Sequence, residues 1–161
     1  MGLSSFFDYG VPDASPETEP APVFLGDAST DDWRQLLAVA EHRRFDVGEQ
    51  LIEAGERSRA FYIVGLGELE VLAPGKGGRL QRIALIGQQS IFGEQAFFDG
   101  RPRSASVCAT QPGELYGITP EAFEVLAARA PELARAVLFD LGRILSLRLR
   151  NATGNLFKGR R

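Results

Sequence analysis

Three rhythms of apolar and polar residues follow one another along the chain. Trp33, Leu36, Leu37 and Ala40 recur at helical spacing behind Ser29 or Thr30 as N-cap, with Asp31 and Asp32 in the first turn. Carboxylates there complement the positive end of the helix dipole, so the pattern predicts a helix from about 30 to 42. From Phe45 to Tyr116 the rhythm shortens to β-rich runs at 45–47, 50–52, 61–64, 68–73, 80–86, 104–109 and 114–118, separated by glycines. Short strands with no helices between them predict an antiparallel barrel or jelly roll, and Pro74-Gly75-Lys76-Gly77-Gly78 reads as a hairpin tip. Thr119-Pro120 then restarts helix over 121–130, with Thr119 as N-cap and Pro120 at the first helical position, and Pro131 opens a last helix. The fold class expected is mainly β with flanking α: a double-stranded β-helix (jelly-roll) barrel with an N-terminal helix and C-terminal helices.

In the last helix Val137, Leu138, Leu141, Ile144, Leu145 and Leu149 span an arc of about 140° at 100° per residue, wider than a single buried stripe. One side packs on the barrel and a flank is left for a partner. Arg148 falls near the middle of that arc. A buried, unpaired charge there is costly, so this end of the helix is expected to project beyond the core.

Gly10 to Pro22 is rich in Pro, Glu, Asp, Ser and Ala and buries little apolar area, which predicts a flexible leader over residues 1–26. The folded domain is expected over 27–151 and a basic tail over 152–161. Leu3, Phe6, Phe7 and Tyr9, ahead of the leader, read either as a docking peptide or as an end that folds back on its own domain.

Composition narrows the chemistry. At 161 residues, 44% hydrophobic and 24% charged, the chain has the size and make-up of one soluble domain. No apolar run is long enough to span a bilayer, and no basic, apolar signal peptide opens the chain; Phe6 breaks a myristoylation pattern at Gly2. A cytoplasmic location is expected. Cys108 and His42 are the sole cysteine and histidine, so no disulfide, clustered zinc site or cysteine–histidine catalytic pair beyond these two can form. His42 reads as a solvated residue at a helix end. The net charge of −3 argues against nucleic-acid binding by the whole domain. Its unevenness, acids without Lys or Arg in 1–32 and bases without acids in 143–161, reads as solvated ends.

One stretch carries chemistry. Ile91-Phe92-Gly93-Glu94-Gln95-Ala96-Phe97-Phe98-Asp99-Gly100-Arg101-Pro102-Arg103-Ser104-Ala105 reads as a strand end, a Gly-Glu turn, a very short helix, a polar loop and a strand restarting at Arg103. A helix starting near Glu94 points unpaired backbone N–H groups at an anion, and Arg103, read as an exposed pocket residue, adds a bidentate donor. Glu94 is unsuited to phosphate but suited to accept a hydrogen bond from a sugar hydroxyl. Gly93 lets backbone approach closely.

These residues resemble the phosphate-binding cassette of cyclic-nucleotide-binding domains, the family of the regulatory subunits of cAMP-dependent kinase, nucleotide-gated channels, and the bacterial cyclic-AMP receptor and Fnr transcription factors. The motif runs Phe92-Gly93-Glu94, then, about nine positions on, Arg103-Ser104-Ala105. Gly48-Glu49, Ile52, Gly55-Glu56, Phe61-Tyr62-Ile63-Val64, Gly67 and Val71 resemble the family's opening strands, so the likeness covers residues 30 to 150. It implies that Arg103 binds the equatorial phosphate oxygen, Glu94 the ribose 2′-OH, and that Gly93, Ala96 and Ser104 make close backbone contacts; Gln95 and Ala105 complete the ligand-binding set. Gln95 departs from the family's aliphatic residue after Gly-Glu, and Gln89 replaces a common glycine. Ser104, rather than threonine, resembles the cAMP-type pattern, with cGMP as the other candidate.

The resemblance implies a non-catalytic cAMP sensor that needs no cofactor and signals through a partner protein by movement of its last helix. A homodimer through that helix is expected, with Leu138, Leu145 or Leu149 in the seam. The family's transcription factors continue into a helix-turn-helix domain that Asn151 to Arg161 is too short to form, so direct DNA reading is not expected. Two alternatives stand beside it: a ligand-free scaffold of the same fold, in which Glu94 and Arg103 form an empty ion pair, and, more distantly, a metal enzyme on a cupin-like barrel.

Overall fold

Ser29 opens the first helix with a reciprocal cap. Its Oγ accepts from the Asp32 N–H at 3.0 Å, and the Asp32 carboxylate accepts from the Ser29 N–H at 3.0 Å, which satisfies two of the donors a helix start leaves over. The structure, a computed structural model, describes residues 21–158 and, of Leu156 and Lys158, the backbone alone. This first helix, α1 (Thr30–Ala38), ends short of the expected residue 42, and β1 (Glu41–Phe45) follows. His42 therefore lies on a strand, opposite Tyr116, with Nε2 2.8 Å from Oε2 of Glu114. It is exposed, as expected, but not at a helix end. Pairing with an open strand edge overrides the local helical rhythm here, and Phe45 is carried into the core.

The remaining strands are β2 (Gln50–Ile52), β3 (Phe61–Pro74), β4 (Leu80–Ile86), β5 (Ile91–Phe92) and β6 (Ser106–Ile118). They form one antiparallel six-stranded sheet in the order β1-β6-β3-β4, with β2 also on β6 and β5 on β3. The sheet is a jelly-roll-like layer that does not close: β1 and β4 end the path, which corrects the expectation of a closed barrel. The hairpin tip falls where the turn residues place it, between β3 and β4, closed by Gly75 N–H donating to Arg79 O at 2.8 Å.

β3 and β6 each run unbroken through glycines that, in the sequence, read as strand breaks. Irregularities near Leu66 and Glu68 absorb the extra residues. A Cβ at Gly113 would stand 1.9 Å from the Leu66 carbonyl oxygen, and one at Gly67 2.7 Å from that of Pro112. Glycine serves here for close approach of two backbones rather than for a turn.

Two apolar clusters flank the sheet. One holds Phe45, Ile52, Val64, Leu69 and Leu115. The other joins the sheet to the helices through Phe24, Leu36, Phe61, Ile118, Leu126, Val137, Leu141 and Ile144. Phe24 is fully buried, edge-on to Trp33 and Phe61 at 6.2 and 6.0 Å. The Leu25 N–H donates to Asp140 at 2.6 Å, and Arg143 donates to Val23 O at 2.7 Å. Burying such a phenylalanine contributes about 2 kcal/mol, so the fold begins ahead of residue 27 and takes in two residues assigned to the leader. Residues 1–20 of the leader, with the apolar cluster Leu3 to Tyr9, lie outside the described residues.

After β6, α3 (Pro120–Arg129) starts as expected, the Thr119 hydroxyl accepting from Ala122 N–H at 3.1 Å. The final helix, α4 (Pro131–Lys158), continues well past residue 151. Val137, Leu141 and Ile144 face the core, Leu145 is half-buried, and Leu138 and Leu149 are 40% and 44% exposed. Arg148 does not project from the fold: its side chain is 15% exposed and lies against β5 and Glu94.

Candidate functional site

β5 is only two residues long, yet it aims the site. Tyr62 pairs with Phe92 in the β3 ladder, their rings stacked at 5.0 Å, and the chain then turns at Gly93 with φ +80°. That left-handed conformation suits glycine. It starts α2 (Glu94–Asp99), whose first internal hydrogen bond runs from Phe97 N–H to Gly93 O at 3.4 Å. The backbone N–H groups of Glu94 to Ala96 lie ahead of that ladder, at the helix end where an anion is favoured. Gly100, also left-handed, ends the helix by donating to Ala96 O at 3.0 Å, and Arg59 donates to Phe97 O at 2.9 Å beside it.

Arg103 enters from the loop before β6. Its backbone is pinned by Arg103 N–H to Glu56 O at 2.9 Å and by Gly55 N–H to Arg103 O at 2.8 Å, a contact that explains the Gly55-Glu56 pair. The guanidinium donates from Nε to Ser58 Oγ at 3.0 Å, from Nη1 to Gly93 O at 2.8 Å and from Nη2 to Ala60 O at 2.7 Å. It also stands over the Tyr62 ring, 5.9 Å from its centroid. Arg103 is 6% exposed, which corrects its reading as an exposed residue. Burial pushes its pKa down from the usual arginine value, while Tyr62, Glu56 and Glu94 push the other way. Two of its five N–H donors are left over by these three bonds.

Glu94, at the start of α2, is 1% exposed and forms an ion pair with Arg148 from α4. It is not paired with Arg103, so the empty Glu94–Arg103 pair is not what the structure holds. Gln95 is half-buried and accepts from the Ser104 hydroxyl at 3.2 Å. Ala96 and Ala105 are buried and Ser104 is exposed. All seven residues singled out in the sequence, Gly93, Glu94, Gln95, Ala96, Arg103, Ser104 and Ala105, line one cavity of about 470 Å³. Its apolar wall comes from Ile52, Val71, Ile83, Ile86 and Val107, so the space has an apolar lobe and a charged end. That size falls within the range of small-molecule pockets.

Sequence reading missed the wall contributed by α4. Arg148, Asn151 and Asn155 line the same cavity. The sequence signal is Arg148 itself, a cation inside an apolar arc, which is largely covered here because Glu94 pairs with it. The departure at Gln89 also has a structural counterpart: Gln89 adopts φ +62°, the region glycine occupies without strain, while exchanging hydrogen bonds with Phe24. Among the described residues no group of three or more His, Cys, Asp or Glu could hold a metal ion, and no helix is long and apolar enough to cross a membrane.

The family model for the cyclic nucleotide-binding domain matches residues 42–130. The cyclic AMP receptor protein of Thermus thermophilus is 30% identical over 132 residues, 82% of this chain and 59% of that protein. The regulatory subunit of cAMP-dependent protein kinase from Yarrowia lipolytica is 32% identical over 94 residues, 58% of this chain and 24% of that protein. This chain thus spans less than two thirds of the length of either relative. Among solved structures, a cyclic nucleotide-binding domain from Methylobacillus flagellatus superposes with a TM-score of 0.75 at 28% identity, covering 84% of this chain and 76% of that one. With the family model matching more than half of the chain, the chain belongs to the cyclic nucleotide-binding domain family.

Proposed function

We propose that this chain is a cyclic-nucleotide sensor, with cAMP as its ligand, that passes occupancy of the cavity to a partner protein through α4. One observation carries the reading: Glu94 and Arg103, both nearly inaccessible, converge with the start of α2 on one cavity of about 470 Å³ that also has an apolar lobe. In this reading Arg103 and the N–H groups of Glu94 to Ala96 receive the cyclic phosphate, Glu94 accepts from the ribose 2′-OH, and the base lies toward α4. Ser104 favours cAMP over cGMP by its likeness to the cAMP-type cassette.

The outer face of α4 supports a homodimer. Leu138, Gly142, Leu145 and Leu149 recur at steps of four, three and four, the spacing of a two-helix seam. Leu138 and Leu149 are largely exposed on that line.

The test is a thermal melt with and without nucleotide. A ligand that binds only the folded state stabilises by RT ln(1 + [L]/Kd), about 2.7 kcal/mol at a hundredfold excess over Kd. An upward shift with cAMP, larger than with cGMP, is expected. An unchanged melting temperature at millimolar concentrations of both would favour a scaffold that uses the same fold for protein contacts alone.

A further inference from the structure

Residues 21–25 form a strap that is bolted down on both sides. On one side the Phe24 N–H donates to the carbonyl of Gln89 at 2.9 Å, and the Gln89 side-chain amide donates back to the carbonyl of Phe24 at 3.2 Å. On the other, Asp140 accepts from the Leu25 N–H at 2.6 Å, while Arg143 donates from Nε to Asp140 at 2.6 Å and from Nη2 to the carbonyl of Val23 at 2.7 Å. The fully buried ring of Phe24, between Trp33 and Phe61, anchors the middle.

The direction of the strap carries its free end to the site. Leu25 meets Asp140 and Val23 meets Arg143, about one turn further on, so strap and helix run antiparallel. Asp140, Arg143, Leu147, Arg150 and Gly154 recur at steps of three and four and share one flank of α4. Arg150 and Gly154, at the far end of that flank, line the cavity, and so do Ala21 and Pro22 of the strap. Pro22 has its φ fixed by its ring, which makes it a stiff edge. Gln89, Asp140 and Arg143, the side chains that hold the strap, do not line the cavity.

Two residues far from the cassette in the chain thus close one side of the cavity, and they are held there from outside it. We infer that the strap is a wall of the nucleotide site that limits the size of the base, with Gln89 and Arg143 as positioning residues. This rests on the cyclic-nucleotide reading above, in which the base lies toward α4, and adds to it what the base meets there. Phosphate and sugar are common to all such nucleotides, whereas a rigid wall at the base discriminates by exclusion: an added group has to displace it.

Calorimetric competition on the full chain tests it, with cAMP and two analogues enlarged at different edges of the base, N6-benzyl-cAMP and 8-bromo-cAMP. The readout is the affinity of each analogue relative to cAMP. Pro22→Gly removes the stiff edge, and Arg143→Ala releases the strap through a side chain that is 47% exposed. Each variant should raise the relative affinity of at least one analogue about fourfold, the scale of one buried methylene group. Arg143→Lys keeps a donor for Val23 but not the fork, and should fall between; it also serves if the alanine variant does not fold. A strap that only stabilises the fold would weaken all three ligands by one factor. That result, or relative affinities unchanged in either variant, overturns the inference and leaves the sensor standing. Failure of the unaltered protein to bind cAMP overturns the sensor, and the inference with it.

Discussion

A side-chain carbon placed on Gly93 would stand 2.8 Å from Nη1 of Arg103 and 3.1 Å from the carbonyl oxygen of Ala60. The turn that starts α2 and the arginine that closes the cavity are thus built against each other with no spare volume. Gly93→Ala meets this contact and also a left-handed backbone, which by itself costs about 1–2 kcal/mol for a residue with a Cβ. The variant is expected to unfold at lower denaturant and to lose nucleotide affinity. Equal denaturation midpoints for the two proteins would show that the loop relaxes freely.

Arg103→Ala is expected to do more than empty the anion site. Ser58, Gly93 and Ala60 each lose a donor from a side chain that is 6% exposed. Removing a charged hydrogen-bonding partner and leaving the buried Ala60 carbonyl behind costs about 3 kcal/mol. Urea denaturation should register that loss alongside abolished binding. Affinity lost at full stability would mean that these carbonyls find water or other donors.

Leu149→Glu should separate the proposed homodimer and leave the protomer fold intact, because Leu149 is 44% exposed on the outer line of α4. Leu141→Glu, at a fully buried position on the same helix, should instead unfold the chain. Light scattering at tens of micromolar, read with circular dichroism, distinguishes the two. A monomer mass for the unaltered protein would remove the dimer.

Tyr62 should make the fold sensitive to alkali. Burial, foremost, pushes its phenol above the ordinary tyrosine value, with Glu56 and Glu41 adding to the shift and Arg103 and Arg43 opposing it. The folded chain then holds the proton after the unfolded chain has released it. The associated stability is fully present below about pH 10, the unfolded value, and is lost as pH rises through the folded value. Denaturation of the unaltered protein and Tyr62→Phe at pH 8 to 11 should show curves that diverge only at the top of this range. Parallel curves would mean that the phenolate is accommodated.

The cassette was legible in the sequence because its parts lie close together in the chain and each residue type has few other uses there. Gly93 needs a positive φ, Arg103 needs an anion or a set of carbonyls, and helix caps such as Ser29 and Thr119 announce themselves by local chemistry. The parts not legible depend on distant partners. His42 joined a strand because the edge of β6 was open, and Gly67 and Gly113 were read as breaks because the crossing of their backbones is invisible locally. Arg148 was read as solvent-facing because its partner, Glu94, lies 54 residues away. Phe24 and Leu25 follow a Pro-rich, polar run and were grouped with it, although their burial is decided by Trp33, Phe61 and α4.

The long pairing of β3 with β6 has a kinetic consequence. It sets Phe61 against Ile118 and Leu72 against Ser106, so its first contacts close a loop of dozens of residues before any ladder energy is gained. Pairings of such separation are slow to form. Ala60 and Arg103, each just ahead of one of these strands, meet only when that loop has closed. A partly folded chain therefore has no rudimentary version of the cavity, and the anion site should appear in refolding experiments with the last, cooperative phase rather than ahead of it.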